Sequence, residues 1–240
     1  MKEIMASKLL LDNYNDYYKN GDSEWRWLGA GDKAENIISL CSTCPHESIL
    51  EVGAGEGSIL KRLSERGFGK VFYALEISST GVDTIKKKDI PRLLECALFD
   101  GYNIPYEDNK FDLVVLSHVI EHVEYPRKLL YEAGRVAKYV FVEVPLEDTL
   151  RLSRDFHFNK VGPINFYSPK TIRRLIQTCN LEVVNQKVTN PSKAVYMYKD
   201  GKIGLVHYLI KEYFLRFFHR AAVTIFTYHS ALICKKINAH

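Results

Sequence analysis

Nowhere in this chain does an uncharged apolar run reach the roughly 20 residues that cross a bilayer; the longest, Ala221 to Cys234, is about two-thirds of that. The opening stretch, MKEIMASKLLLDNYNDYY, has neither the apolar core nor the small-residue cleavage site of a secretory leader. Cysteine is sparse: five in 240 residues, an odd number with no disulfide-like spacing, which points to a reducing compartment. Cys41 and Cys44 form a C-x-x-C, but no second pair completes a zinc set, so they read as packed thiols and no metal site is assigned. Internal repeats and low-complexity segments are absent. So is a strong charge imbalance: the net charge of +4 suits an anionic substrate or a membrane surface and is too small to argue for nucleic acid. What remains is one cytoplasmic globular domain, 1–240, with an elaboration.

Within it three zones are legible. Residues 1–44 read as a helical cap rich in aromatics (Tyr14, Tyr17, Tyr18, Trp25, Trp27), with Ala34, Ile37, Ile38 and Cys41 spaced for a helix lying on a sheet. Residues 48–145 alternate β-rich runs with helical stretches, the pattern of a parallel sheet covered on both faces. The runs are Ile49–Val52, Val71–Glu76, Arg92–Ala97, Phe111–Leu116 and Tyr139–Val144. Residues 146–240 open on a polar loop. A helix capped by Ser168 and Pro169 follows, then a strand at Leu181–Val188, a long aromatic helix over 203–223 and a last strand at Tyr228–Cys234.

The first β-run ends in Glu51-Val52-Gly53-Ala54-Gly55-Glu56-Gly57 and passes straight into helix-like sequence. Such a turn brings backbone N–H groups and a helix N-terminus close to a ligand. A dinucleotide fingerprint would need a third glycine where Ser58 stands, which weakens a nicotinamide reading. The second run ends in Glu76, an acid placed to accept from ribose hydroxyls. Phe99-Asp100-Gly101 and Phe111-Asp112-Leu113-Val114-Val115-Leu116-Ser117-His118 then follow in order.

From about Ile49 to Pro145 this order resembles the class I S-adenosylmethionine-dependent methyltransferases of small-molecule and glycan type. The resemblance implies an α/β fold: a Rossmann-like, doubly wound sheet of about seven strands, mostly parallel, with an antiparallel last strand. Here the helical cap would precede the sheet and the long helix would be inserted before the final strand. It also implies that S-adenosylmethionine is held by Glu51, Gly53, Ala54, Gly55, Gly57, Glu76, Ile77, Asp100, Gly101, Ser117 and His118, and leaves as S-adenosylhomocysteine. Glu76 would take the ribose hydroxyls, Ile77 the adenine face and Asp100 the adenine amino group.

Because a sulfonium carries its own electrophilic methyl, the chain need supply only position and, for a hydroxyl acceptor, a base. Candidates cluster after the fourth run, at His118, Glu121 and His122; His118 and His122 are four apart and would stack on one helix face. The same letters match an inverted zinc-peptidase motif, but no third ligand motif accompanies them. His157, in the loop after the fifth run, is the favoured base. Tyr17, Trp25 and Trp27 would cap the pocket. The Pro-Pro-aromatic signature of base-modifying enzymes is missing after the fourth run, which argues against a nucleic-acid substrate.

The expected activity is therefore methyl transfer to a small molecule, sugar or lipid-linked saccharide, at oxygen. Two rivals stand beside it: a nicotinamide oxidoreductase or epimerase, and a non-catalytic adenosine-ligand module. For the 203–223 helix three uses are open: core or homodimer packing, a substrate lid, and peripheral docking at the inner membrane face.

Overall fold

The computed structural model describes residues 6–20, 22–156 and 159–237. Five parallel strands follow the expected runs closely: β1 (Ser48–Val52), β2 (Val71–Glu76), β3 (Leu93–Leu98), β4 (Phe111–Ser117) and β5 (Ala137–Pro145). Two more, β6 (Leu181–Thr189) and β7 (His229–Lys236), complete a seven-stranded sheet in the order β3-β2-β1-β4-β5-β7-β6. β7 alone is reversed in direction, pairing antiparallel with both β5 and β6.

Strand alternation builds two cores. Leu50, Val52, Val114, Leu116, Val140 and Val142 point to one face, where α5 (Pro126–Val136) and α6 (Pro169–Gln177) cover them. Ile49, Leu113, Val115 and Phe141 point to the other, under α2 (Ser23–Cys41) and α3 (Ser58–Glu65). The anticipated helix face is there: Ala34, Ile37 and Cys41 are fully buried. Ser168 caps α6 through a reciprocal pair with Thr171, and Pro169 occupies the first turn. The five cysteines are free, with Cys41 buried and Cys44 half-buried.

Two expectations are corrected. The inserted helix starts ten residues early: α7 spans Lys193–Phe217, with Gly201 in a non-helical conformation (φ 57°, ψ −139°) inside it, and a separate α8 covers His219–Ile225. A β-carbon on Gly204 would run into the Tyr196 carbonyl, so the two halves of α7 touch through bare backbone. Nor does core packing, one of the three uses left open for this helix, cover α7 on all sides. Phe214 and Leu215 face the small core around Leu146, Ala222 and Tyr228, while Ile203, Val206, Leu209, Tyr213 and Phe217 stay exposed. No described helix is long and apolar enough to cross a membrane.

Candidate functional site

At the carboxyl edge of the sheet the chain leaves β1 through three left-handed glycines, Gly53, Gly55 and Gly57 (φ 73°, 61° and 74°), before α3 begins. The N–H groups of Gly53 and Ala54 both donate to the Leu75 carbonyl (2.8 and 3.0 Å), which pins the turn onto β2. Glu76, next on β2, accepts from the N–H of Gly55 (2.7 Å), Ile77 (3.0 Å) and Ser78 (3.0 Å). Burial pushes its carboxyl up to about 7 against those three donors. Glu51, 2% exposed, is driven up to about 8 by burial, and one of its oxygens has no hydrogen-bond partner among the described residues.

Gly53, Glu76, Ile77, Phe99, Gly101 and Tyr102 wall a cavity. Asp100 holds its own turn together instead: its carboxylate accepts from the backbone N–H of Tyr102 (2.8 Å) and Asn103 (2.6 Å) and from the Asn103 side chain. Across the cavity lies α1 (Lys8–Asn20), whose Tyr14 and Tyr18 close the remaining side. A β-carbon on Gly55 would sit 2.9 Å from the Tyr18 hydroxyl, so this ring lies directly on the glycine turn. Only about 80 Å³ is left free. Asn15 fastens α1 to the loop after β2, accepting from the Ser78 hydroxyl at 2.8 Å.

Ser117, at the end of β4, donates its hydroxyl to Glu143 of β5 (3.1 Å). His118 follows in the left-handed region (φ 56°), and Ile120–His122 form one 3-10 turn. The two histidines therefore do not stack on a common helix face. They flank the buried Glu121 instead: His118 Nδ1 is 3.5 Å and His122 Nε2 3.7 Å from one of its oxygens. Burial lowers both imidazoles, His118 the more strongly, so both are neutral at pH 7. The same burial raises Glu121. His118 and His122 border three cavities: the one beside Glu76, a second reaching Lys33 and Arg26, and a third lined by Glu147, Pro163, Tyr196 and His229.

His157 lies outside the described residues. Tyr17 and Trp25 line the second cavity, whereas the Trp27 ring is covered by the Arg62 guanidinium at 3.6 Å. Sequence reasoning placed Tyr14 and Tyr18 in the helical cap but not at the cavity, and passed over Glu143 and His229. Glu143 did leave a signal, an acid inside the apolar run Phe141-Val142-Glu143-Val144.

Residues 50–139 match the family described as a methyltransferase domain. The chain carries a class I S-adenosylmethionine-dependent methyltransferase domain. Among curated relatives, the demethylmenaquinone methyltransferase of Renibacterium salmoninarum is 25% identical over 78% of this chain and 69% of its own length. The ubiquinone/menaquinone biosynthesis C-methyltransferase UbiE of a Ruegeria species is 26% identical over 49% of this chain and 51% of its own. In fold, this methyltransferase is similar to the partner solved in complex with the Haloferax volcanii Trm112 methyltransferase activator (TM-score 0.67, 13% identity, 96% of this chain and all of that one). A SAM-dependent methyltransferase from Aquifex aeolicus matches likewise (0.58, 18%, 93% and 98%). The nicotinamide and non-catalytic readings are set aside.

Proposed function

We propose that this methyltransferase transfers the methyl group of S-adenosylmethionine to an oxygen of a small hydroxylated acceptor that enters beside His122, Glu147 and His229. The observation carrying this is that His118 and His122 border both the cavity beside Glu76 and the separate cavity leading outward past Tyr196. Donor and acceptor so placed would meet across these two side chains.

The residues fit the cofactor. Three left-handed glycines expose main-chain N–H, Glu76 presents a carboxylate at the end of β2, and Ile77 with Gly101 leaves room for a flat ring. Gly53, Gly55, Gly57, Glu76, Ile77 and Gly101 would hold it, with Asp100 shaping the adenine turn, Glu51 backing the glycine turn, and Ser117 and His118 beside the methionine end. Bound there, S-adenosylmethionine supplies an electrophilic methyl on a sulfonium. The cavity beside Glu76 leaves about 80 Å³ free against the ~300–1,000 Å³ of ligand pockets, so Tyr14 and Tyr18 would have to shift for an adenosine to lie there. His122 takes the acceptor's hydroxyl proton, with Glu121 held 3.7 Å from its Nε2.

A second reading has specific support. Both curated relatives above carry quinone-pathway names, and UbiE is named a C-methyltransferase. Loss of the same hydroxyl proton makes the adjacent ring carbon of a quinol nucleophilic, so one base serves either outcome. Lys202, Arg216 and Arg220 accompany the exposed apolar face of α7, which suits docking on an anionic lipid surface that holds an apolar acceptor.

Labelled methyl transfer from S-adenosylmethionine to a panel of phenols, quinols and saccharides tests the reading. Mass and lability of the product separate an O-methyl from a C-methyl. His122→Asn should lower kcat at least 100-fold while leaving S-adenosylhomocysteine affinity within twofold. An unchanged kcat removes His122 from the reaction.

A further inference from the structure

Three neighbouring strands bring together a group that no single stretch of sequence displays. His118 stands just past the end of β4, Glu143 lies near the end of β5, and His229 opens β7. One ligand atom from each lies within 4.8 Å of the other two. We propose that His118, Glu143 and His229 bind one divalent first-row transition cation, and that this cation receives the acceptor's hydroxyl oxygen. The acceptor half of the proposal rests on the function argued above.

The geometry is that of a preformed site. His229 Nδ1 and Glu143 Oε1 are 3.4 Å apart. Two ligands at ~2.1 Å from a tetrahedral ion are separated by about that distance. Backbone pairing holds the frame: the His118 N–H donates to the Glu143 carbonyl (2.8 Å), and His229 pairs with Pro145 across β5 and β7. Supporting groups surround the three. Asn36 Nδ2 donates to Glu143 Oε1 (2.9 Å) and the Ser117 hydroxyl to Oε2 (3.1 Å), which fixes the carboxylate plane. Glu121 faces His118 Nδ1 at 3.5 Å, leaving Nε2, a buried nitrogen with no hydrogen-bond partner among the described residues. A carboxylate behind a histidine is the usual arrangement for orienting a metal-bound imidazole.

Charge points the same way. Glu143 is fully buried and Glu121 is 1% exposed, with neither Glu121 oxygen hydrogen-bonded among the described residues. A charged carboxylate is costly in an interior even when hydrogen-bonded, and a divalent cation would offset that of Glu143. Two nitrogens and one carboxylate suit zinc, cobalt, manganese or ferrous iron better than magnesium or calcium. Three protein ligands also leave a coordination position open, and His118 and His229 face the outward cavity where an acceptor would arrive.

Coordination would lower the hydroxyl's pKa. The O–H bond then breaks and its proton passes to His122. An O–CH3 bond forms as the S–CH3 bond breaks, the bonding pair stays on sulfur, and the cation remains divalent. This site is not the inverted peptidase motif, because His122 is no ligand and two of the three ligands come from other strands.

Co2+ is the probe. The chain is stripped with chelator, Co2+ is titrated, and its visible absorption is followed for wild type, Glu143→Gln, His229→Gln and the remote control His46→Gln. S-adenosylhomocysteine affinity and melting temperature report folding in each. The expected result is one Co2+ per chain with nitrogen/oxygen ligation, weakened tenfold or more in the first two variants and unchanged in the control. No saturable Co2+ site in the wild type, a thiolate-type spectrum, or equal affinity in all folded variants overturns the proposal. Co2+ binding as expected, together with methyl transfer indifferent to chelator, overturns the acceptor role alone. Absence of any methyl transfer with Co2+ binding intact counts against the acceptor reading and not against the cation site.

Discussion

If Glu76 holds the ribose hydroxyls, cofactor affinity must follow its ionisation. Burial pushes its carboxyl up to about 7, outweighing the three N–H donors around it. Two hydroxyls can both donate only to the carboxylate. With a midpoint of 7, the ionised fraction rises from about one-tenth at pH 6 to about nine-tenths at pH 8, so binding should tighten about tenfold, or about 1.4 kcal/mol. Glu76→Gln should abolish this slope. It should also weaken binding by about 1.5–3 kcal/mol, or about 10–150-fold, because an amide keeps one acceptor and turns a donor toward donors. Calorimetry with S-adenosylhomocysteine, which lacks the sulfonium charge, measures both. Affinity that is flat between pH 6 and 8 in the wild type, or a slope that survives in the variant, refutes the reasoning.

Other outcomes follow from the same contacts. Gly53→Ala places a β-carbon 2.7 Å from a Val119 methyl at φ 73° and should cost ~1–3 kcal/mol, read by urea denaturation; a loss under ~0.5 kcal/mol would mean the turn relaxes freely. Glu51 has its folded pKa raised to about 8, so the folded chain binds the extra proton and stability falls as pH climbs from about 4.5 to 8. Glu51→Gln should therefore raise Tm more at pH 8 than at pH 5, and an equal change at both would contradict the assignment. Tyr18→Ala clears the ring from Gly55 and should speed cofactor association severalfold in stopped-flow; an unchanged rate would show that α1 is no obstacle. Ile203→Ser with Phe217→Ser should reduce sedimentation with anionic vesicles at least fivefold, whereas wild-type chain that ignores such vesicles ends the docking reading.

The sheet and its glycine turn were legible because each β-run is short and mostly apolar, and the first two close on a glycine and an acid, signals that neighbours along the chain supply. The cap on α6 was legible for the same local reason: Ser168, Pro169 and Thr171 are adjacent. What escaped depends on distance or on one backbone angle. The expected stacking of His118 on His122 fails because His118 alone turns left-handed, which its side chain does not announce. The start of α7 was misplaced because Gly201 interrupts a helix that resumes on either side. Glu143 and His229 join the site only through β5–β7 register, and Tyr18 only through the docking of α1, neither of which a single sequence states.

The reversal of β7 has a mechanical consequence. Parallel strands can offer only their ends to this edge of the sheet, whereas β7 offers its beginning, so the segment that precedes it arrives at the site directly from α8. Three residues, 226–228, span the gap. Within them the Tyr228 hydroxyl donates to the Lys211 carbonyl of α7 (2.7 Å), and its own carbonyl accepts from the Leu146 N–H beyond β5 (2.7 Å). The outer helix and the imidazole of His229 are thus tied through one short segment, in which Tyr228 is bonded both to α7 and to the residue that follows β5.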